Sequence, residues 1–413
     1  MNTKLAGARV LVWGWGRHGG GAAAVRRCQA LGAQVEILDR QSAPELGAEI
    51  AVPWHVGDAS HPAFARADLI VASPAIPPRA WPAVHPPRIC PEALFFAAHR
   101  GRIAAVTGTK GKSTTVRILA TLLGWPAGGN SYEPLLDVQD AHGVQADVVA
   151  ELSSFQLWYL AQGQVPQPEL AVLTSLAVDH LDWHPDVGHY HAAKVALFSW
   201  AKQGIGRDLP GLTCSVSYRE GRFLYAGEPV AERADLPLPG DHNANNAALA
   251  IAAALALGLN PAVIGERLRA VVGLPHRLAH VHAHGRIDFV DDSIATTPEA
   301  AMCALAAIHG PLAVILGGSD KGADFASLAK AVAIRGAIPV LIGATAPRLA
   351  AAMAVHGVSW RSATDLKTAI HEACAHLPDG GTVLLSPACA SFDMFQGFED
   401  RGHKFAAAAR AAR

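Results

Sequence analysis

The chain has 413 residues, of which 51% are hydrophobic and 17% are charged, and its formal net charge is −1. This composition is typical of a globular protein and excludes a largely disordered chain. Because the charges balance, the composition predicts no nucleic-acid partner, and the length predicts about two to three domains.

Three sequence features predict the cellular compartment of the protein. The longest apolar run, residues 247–259, is shorter than the roughly 20 residues that cross a membrane. The N-terminus shows no apolar signal segment with a cleavage site. The six cysteines are scattered without a C-x-x-C pair, so we expect free thiols in a reducing compartment. These features predict a cytoplasmic protein that does not enter a membrane.

Short apolar runs alternate with helical patterns along the whole chain. The runs predicted as strands are ARVLVWG, QVEILD, DLIVASP, RIAAVTG, DVVAELSS, LAVLTS, RIDFVDDS, LAVILGG, PVLIGA and TVLLSPA. Such alternation predicts an α/β fold with mainly parallel sheets. A proline-rich stretch at 74–91 and the end of an alanine-rich helical stretch near 271 suggest domains at 1–97, 98–273 and 274–413. Residues 201–238 show no clear pattern.

Polar residues follow several of the predicted strands directly. Thr107, Glu151, Asp292, Gly317 and Ser386 each close or follow an apolar run. In open α/β sheets, ligands bind outside the carboxyl ends of the strands. The sequence therefore predicts ligand sites at these strand ends.

The N-terminal strand is followed by a glycine pattern. Gly14, Gly16 and Gly19 give G-x-G-x-x-G, and Asp39 ends the next predicted strand. This pattern is typical of a dinucleotide-binding loop, so a dehydrogenase is one hypothesis. The same loop can also hold the pyrophosphate of UDP. A second phosphate loop would favour the latter, because a dehydrogenase does not need one.

The stretch VTGTKGKSTT at 106–115 predicts that second loop. Gly108, Gly111, Lys112 and Ser113 give G-x-x-G-K-S between a strand and a helix. Glycines let backbone N–H groups face a phosphate, the lysine offsets its charge, and the serine can bind Mg²⁺. The spacing is two residues shorter than in the usual P-loop. The strand and helix context still favours a phosphate loop over an exposed turn.

Motifs along nearly the whole chain resemble the Mur ligase family of peptidoglycan synthesis, and within it the branch that adds glutamate. They are VTGTKGKSTT, ELSSFQL, DHLDWH, YHAAKVALF, GDHNANNAALA, GLPHRL, DDSIATTPEA, LGGSDKGADF and LLSPACASFDMFQGFEDRGHKF. Folylpolyglutamate synthetases share the phosphate loop, but the C-terminal motifs are similar to those of the Mur enzymes. The resemblance therefore covers all three predicted domains.

The resemblance implies a Rossmann-like N-terminal domain that binds UDP, a central P-loop-type ATPase domain and a C-terminal Rossmann-like domain that binds the amino acid. It implies an ATP-dependent ligase that makes an amide through an acyl phosphate. The expected substrates are the small molecules UDP-N-acetylmuramoyl-L-alanine and glutamate. The enzyme is expected to act as a monomer.

The resemblance also implies the site residues. Catalytic roles fall to Lys112, Glu151, His180 and Lys194. ATP is expected at Gly108, Thr109, Lys110, Gly111, Lys112, Ser113, Thr114, Asn243, Asn246, Arg277 and Asp292. The UDP substrate is expected at Gly14, Gly16, Asp39, Arg40, Ser73 and Asn130, and glutamate at Thr296, Lys321, Ser391, Phe392 and Phe398.

Two Mg²⁺ ions are expected at Ser113, Glu151, His180 and Lys194. By pattern alone, Lys194 is typical of a helix surface. The resemblance instead identifies it as the family's carbamylated lysine, whose CO₂ adduct is an anion that can bind Mg²⁺. An unmodified ammonium group would repel the metal.

Two positions depart from the family pattern. In DSIATT, Ile294 stands where the family usually has a lysine and Thr297 where it has an asparagine. A related branch that adds L-glutamate has a similar motif, whereas DKGADF and SPACASFDMF favour D-glutamate. A ligase that adds D-glutamate is thus the leading prediction. The L-glutamate ligase, a dehydrogenase and a non-catalytic nucleotide-binding relative are the alternatives.

Overall fold

The computed structural model of the chain describes residues 5–16, 19–43, 50–163 and 167–412. They form two compact units, the first comprising Met1–Leu236 with Ala244–Val271 and the second Pro237–Asn243 with Val272–Arg413. The predicted third domain lies within the second unit. The division of the first unit into two domains near residue 97 stays a prediction. In the described ranges, no helix has the length and apolar character needed to cross a membrane.

The first sheet of unit 1 is parallel throughout, with strand order β3-β2-β1-β4-β5. Its strands are β1 (Arg9–Trp13), β2 (Gln34–Asp39), β3 (Trp54–Val56), β4 (Leu69–Ala72) and β5 (Arg88–Ile89). The accompanying helices are α1 (Gly20–Ala30), α2 (Pro62–Arg66) and α3 (Pro91–Ala98), with a 3₁₀ turn at Pro78–Ala80. The central strands β1 and β4 are buried along almost their whole length, as expected for a parallel sheet covered on both faces.

The second sheet of unit 1 is also parallel, with order β10-β9-β6-β8-β7. Its strands are β6 (Ile103–Thr107), β7 (Ala127–Gly129), β8 (Val148–Glu151), β9 (Leu170–Leu173) and β10 (Gln203–Ile205). The helices are α4 (Lys112–Leu123), α5 (Leu135–His142), α6 (Ser154–Leu160), α7 (Val187–Trp200), α8 (Asp241–Ala256) and α9 (Ile264–Arg269), with a 3₁₀ turn at Pro261–Val263. The boundary between the two units falls inside α8.

A small antiparallel sheet occupies the stretch that the sequence pattern did not resolve. It consists of β11 (Val216–Arg219), β12 (Arg222–Tyr225) and β13 (Glu228–Glu232), followed by a 3₁₀ turn at Arg233–Asp235. Its hairpins turn at Glu220-Gly221 and Ala226-Gly227, where all four residues have positive φ. Glycine at the second position is typical of such two-residue turns, so these X-Gly pairs were the available signal.

Unit 2 contains a six-stranded sheet with order β14-β15-β19-β16-β17-β18. Its strands are β14 (Ala279–His284), β15 (Ile287–Asp291), β16 (Leu312–Gly317), β17 (Ile338–Ile342), β18 (Arg361–Ser362) and β19 (Gly381–Leu385). Its helices are α10 (Pro298–Ala307), α11 (Ala326–Arg335), α12 (Ala346–Val355), α13 (Leu366–Ala375) and α14 (Phe398–Ala411). Edge strand β14 is antiparallel and the other pairings are parallel.

Alternate side chains of the unit 2 strands enter two separate cores. In β16, Val314 and Leu316 belong to one core and Ala313 and Ile315 to the other. Helices therefore cover both faces of the sheet. Each apolar run predicted as a strand forms one in the structure, and the predicted α/β class with parallel sheets is confirmed.

Candidate active site

The turn between β6 and α4 has the backbone that a phosphate loop requires. Gly111 precedes α4 with φ of +85°, and Gly108 has φ of +149°. A Cβ atom at Gly108 would collide with Thr174, and one at Gly111 would collide with the side-chain amide of Asn246. Both positions therefore require glycine, and the side chain of Asn246 lies against the loop.

Two lysines converge on the carbonyl oxygens of this loop. Lys112 Nζ donates to Gly108 O at 3.0 Å and to Thr109 O at 3.1 Å. Lys194 Nζ, from α7, donates to the same Gly108 O at 2.9 Å. A third lysine, Lys110, extends into solvent and lies 3.6 Å from Asp179 Oδ2. Lys112 and Lys110 thus add positive charge where a helix N-terminus already favours anions.

Lys194 is buried, with 1% of its surface exposed, so the surface interpretation from the helical pattern is wrong. Burial, together with the positive charge of Lys112, lowers its pKa to about 6, and the negative charges of Asp179 and Glu151 oppose this shift. An amine with this pKa is largely neutral at physiological pH. The hydroxyl of Tyr190, one turn earlier on α7, donates to Thr109 Oγ1 at 3.0 Å and ties the helix to the loop.

Glu151 ends β8 and is fully buried. Its Oε1 accepts hydrogen bonds from Asn130 Nδ2 at 2.9 Å and Ser131 Oγ at 3.0 Å. Its Oε2 is buried and has no hydrogen-bond partner. A buried carboxylate oxygen without a donor is costly unless a cation or donor approaches it.

His180 lies in the segment after β9 with a left-handed backbone, φ of +54°. Its ring is half exposed and its edge contacts Phe155, with centroids 4.8 Å apart. Burial of the ring lowers its pKa, and the charges of Lys112 and Lys194 act in the same direction. The structure therefore brings together all four predicted catalytic residues: Lys112, Glu151, His180 and Lys194.

The residues present fit a Mg²⁺ ion that arrives with a nucleotide. Within the described ranges, no group of three or more His, Cys, Asp and Glu side chains is arranged to hold a metal alone. Mg²⁺ commonly binds through one or two carboxylates together with substrate phosphates. The unpartnered oxygen of Glu151 could serve as such a carboxylate ligand. Ser113, in the first turn of α4, is fixed by Tyr132, whose hydroxyl donates to Ser113 O at 2.6 Å.

A cavity of about 1010 Å³ opens within unit 1. All the residues predicted to bind the UDP substrate line it, namely Gly14, Gly16, Asp39, Arg40, Ser73 and Asn130. Asp39 accepts backbone N–H bonds from Trp15 at 2.7 Å and Gln41 at 2.9 Å, so it holds the glycine loop against the end of β2. The predicted loop also includes residues 17 and 18, which lie outside the described residues.

Unit 2 carries the predicted ATP-site residues Asn243, Arg277 and Asp292. Asp292, after β15, accepts from Ser386 Oγ at 2.8 Å and from Leu278 N at 3.2 Å. Burial raises its pKa to about 7. Arg277 Nε is buried without a hydrogen-bond partner. Asn243, at the start of α8, donates to Pro239 O at 2.7 Å.

The predicted glutamate residues follow three parallel strands of unit 2, four of them on loops and Phe398 at the first residue of α14. Thr296 follows β15, Lys321 follows β16, and Ser391, Phe392 and Phe398 follow β19. Ser391 is buried, whereas Phe392 is half exposed and its ring centre lies 5.8 Å from Lys321 Nζ. A cation beside an exposed ring offers a site to an acidic ligand with an apolar stem.

Sequence reasoning missed Arg401, whose guanidinium is fully buried in unit 2. It donates to Ser293 Oγ at 2.9 Å, Ser293 O at 2.8 Å and Cys389 O at 3.0 Å. It therefore holds the loop after β15 against the loop after β19. The available signal was its spacing of four residues from the buried Phe405, which puts both on one face of α14.

Together, the fold and the site define a nucleotide-dependent α/β enzyme with a phosphate loop, buried lysines and a separate large cavity. Residues 106–206 match the family described as the Mur ligase middle domain, and residues 276–389 match the Mur ligase glutamate ligase domain. A relative from Xanthomonas axonopodis pv. citri, named UDP-N-acetylmuramoyl-L-alanine--L-glutamate ligase, is 33% identical over 98% of this chain and 95% of its own. One from Symbiobacterium thermophilum, named UDP-N-acetylmuramoylalanine--D-glutamate ligase, is 32% identical over 93% and 94%.

Solved structures agree with this fold. The chain is similar to UDP-N-acetylmuramate-alanine ligase MurC from Thermotoga maritima, with a TM-score of 0.66, 18% identity and coverage of 98% of this chain and 100% of that one. It is also similar to MurF ligase from Thermotoga maritima, solved in complex with ADP, with a TM-score of 0.57, 14% identity and full coverage of both chains. The protein belongs to the Mur ligase family. It is an ATP-dependent, amide-forming ligase, as the sequence predicted.

Proposed function

We propose that this ligase joins D-glutamate to UDP-N-acetylmuramoyl-L-alanine in the synthesis of peptidoglycan precursors. The observation that carries the proposal is the similarity, over nearly the whole chain, to relatives named for adding glutamate to this substrate. The cavity in unit 1 suits a nucleotide-linked sugar because it is large, glycine-walled and rimmed by aromatic side chains. ATP as co-substrate fits a cytoplasmic enzyme, and we propose that it acts there as a monomer.

The proposed reaction activates a carboxylate, which is a poor electrophile. The carboxylate of the alanyl substrate attacks the γ-phosphorus of ATP, the bond from that phosphorus to the leaving oxygen of ADP breaks, and an acyl phosphate forms. The amine of glutamate then attacks the acyl carbon, loses a proton, and phosphate leaves as the amide forms. Phosphoryl transfer depends mainly on positioning and on neutralising charge.

The chain's own groups supply that positioning. Lys112 and the N–H groups of the loop at 108–114 would hold the β- and γ-phosphates, and the adenine end would lie near Asn246 and Asn243. Glu151, His180, Ser113 and a modified Lys194 would hold Mg²⁺. When bound, the metal neutralises phosphate charge and orients the transferred group.

We propose that Lys194 is carbamylated. Its amine is buried, is held at 2.9 Å from the phosphate loop and is close enough to Lys112 to be repelled by it. A neutral amine adds to CO₂ and loses a proton, which turns the buried amine into an anion beside the metal position. Lys194→Ala is expected to abolish activity, and a short carboxylic acid such as acetate is expected to restore part of it. Full activity in the unsupplemented variant would show that the carbamate is not required.

Unit 2 would bind the incoming glutamate. Lys321 can neutralise one carboxylate, and Ser391 with the backbone beside Phe392 can donate hydrogen bonds to the other. Arg277 and Asp292 are proposed to contribute to the ATP site. D-glutamate is favoured by the DKGADF and SPACASFDMF stretches.

L-glutamate is the second candidate. Ile294 removes the lysine that relatives use near this carboxylate, and several relatives at 33–34% identity carry names with L-glutamate. The purified chain should release phosphate from ATP only when UDP-N-acetylmuramoyl-L-alanine and glutamate are both present, and faster with the D enantiomer. Equal or faster release with L-glutamate would assign the L-specific reaction. Phosphate release that does not depend on either substrate, or binding of a nicotinamide cofactor, would contradict the ligase proposal.

A further inference from the structure

The first turn of α6 belongs to two sites at once. Ser153, Phe155 and Gln156 line the cavity of unit 1. The turn is rigidly defined, since Ser153 and Gln156 form a reciprocal capping box in which each side chain bonds to the backbone of the other. It begins two residues after Glu151, so it joins the substrate cavity to the phosphate-loop site.

The ring of Phe155 makes this connection. It stacks on Trp183 with centroids 4.5 Å apart and planes 18° apart. It also meets the ring of His180 edge-on, at 4.8 Å. Phe155 is only partly buried, and it belongs to the cavity wall. One aromatic side chain therefore contacts the cavity and a residue assigned to the metal.

The turn that carries His180 is anchored on both sides of Phe155. Trp183 N and His184 N both donate to His180 O, at 3.1 and 2.9 Å. Trp183 Nε1 donates to Ala75 O at 3.2 Å, and Ala75 also lines the cavity. His184 is fully buried, and its Nε2 lies 3.0 Å from Ser154 Oγ on α6.

These anchors fix a residue whose backbone is unfavourable by itself. His180 has φ of +54°, a region that residues with a Cβ adopt only when their surroundings impose it. The stack of Phe155 on Trp183 and the hydrogen bonds that Trp183 makes with Ala75 O and His184 with Ser154 Oγ hold His180 in this conformation. Loss of the stack would free the His180 ring while leaving the phosphate loop intact.

We propose that Phe155 is a positioning residue that couples occupancy of the unit 1 cavity to the placement of His180. A ligand packed on the exposed face of Phe155 restricts the ring, and the ring in turn restricts His180. Nucleotide with Mg²⁺ then binds a site that is already ordered, so binding at the two sites is mutually favourable. This inference rests on the proposed function, because it takes the cavity as the UDP-substrate site and His180 as a metal ligand.

The test measures the affinity of MgADP by calorimetry, with and without saturating UDP-N-acetylmuramoyl-L-alanine. In the natural protein we expect the substrate to tighten MgADP binding by about 5-fold or more, within the usual range of coupling between sites. Phe155→Leu should reduce this factor towards 1, and Phe155→Tyr, which keeps the ring, should preserve it. By reciprocity, MgADP should change the affinity for the UDP substrate by the same factor in each variant.

Trp158→Leu is the matched control. Trp158 lies on the same helix, and its ring packs against Trp183 with ring centroids 5.5 Å apart. It is not part of the cavity wall and does not pack on His180. It should keep the coupling factor of the natural protein even where it lowers the melting temperature. Should Phe155→Leu fail to fold, Trp183→Phe, which keeps a ring but loses the bond to Ala75 O, should show a reduced factor.

The outcomes separate the two proposals. A natural protein that releases no phosphate with both substrates contradicts the proposed function. A natural protein that is active but shows no coupling, or a Phe155→Leu variant that retains the full factor, overturns the positioning role while leaving the ligase intact.

Discussion

Replacing Lys194 by methionine should make the protein more stable and the enzyme inactive. Lys194 is buried, and its pKa falls from 10.5 to about 6, chiefly because burial disfavours the ammonium form. Methionine has a similar length and needs no proton. The variant therefore removes a charge that the folded state tolerates poorly.

The magnitude follows from the two pKa values. Between pH 6 and 10.5 the unfolded chain binds a proton at this lysine that the folded chain does not, so this lysine makes stability rise with pH. At 1.36 kcal/mol per pH unit, the lysine costs about 3 kcal/mol of stability at pH 8 and about 6 kcal/mol at pH 6. The methionine variant also loses the hydrogen bond to Gly108 O, which reduces this gain in stability by about 1 kcal/mol. The loss is small because Lys112 still donates to that oxygen.

The assay is urea unfolding at pH 8 and pH 6 in buffers stripped of CO₂, so that the natural lysine stays unmodified. Tryptophan fluorescence reports mainly on unit 1, since of the nine tryptophans only Trp360 lies in unit 2. The advantage of Lys194→Met should be about 2 kcal/mol at pH 8 and should grow as the pH falls. Lys202→Met, at an exposed lysine just after α7, should change stability by less than about 0.5 kcal/mol at either pH. An advantage that is absent, or that does not grow between pH 8 and 6, would refute the reasoning.

Three further changes test other parts of the structure. Asp292→Asn should stabilise unit 2 by up to about 4 kcal/mol at pH 8 and by little near pH 4. The pKa of the Asp292 carboxyl is raised from 3.8 to about 7 in the folded state, so this carboxyl destabilises the folded state as the pH rises through that interval. Calorimetric unfolding at both pH values measures the difference. Gly111→Ala should cost about 1–2 kcal/mol from its positive φ and also weaken ADP binding, since its Cβ displaces Asn246; an unchanged ADP affinity in titration calorimetry would contradict this. Ser153→Ala should cost about 1 kcal/mol by removing the N-cap of α6, measured as a lowered urea midpoint with unchanged slope, and a loss below 0.3 kcal/mol would argue against the capping box.

Local pattern was sufficient for the phosphate loop and for the parallel strands of four or more residues, whereas the shorter parallel strands β3, β5, β7, β10 and β18 were not predicted. A buried parallel strand is a continuous apolar run, and the polar residue after it marks the strand end, which is why Thr107 and Glu151 were placed correctly from sequence. The glycines of the loop at 108–111 are likewise required by the backbone itself. The antiparallel strands at 216–232 were missed because they are short and half exposed, and their X-Gly turns were the only clear signal.

The sequence by itself determined the fold class, the order of the longer parallel strands and the residue types at the site. Only the tertiary structure decided which of those residues are buried and which groups from distant segments contact them. The helical pattern around Lys194 is that of a surface lysine, and its burial comes from a loop 86 residues earlier in the chain. The unpartnered oxygen of Glu151 and the buried guanidinium of Arg401 also depend on distant segments, because burial and electrostatics are set by packing between elements rather than within them.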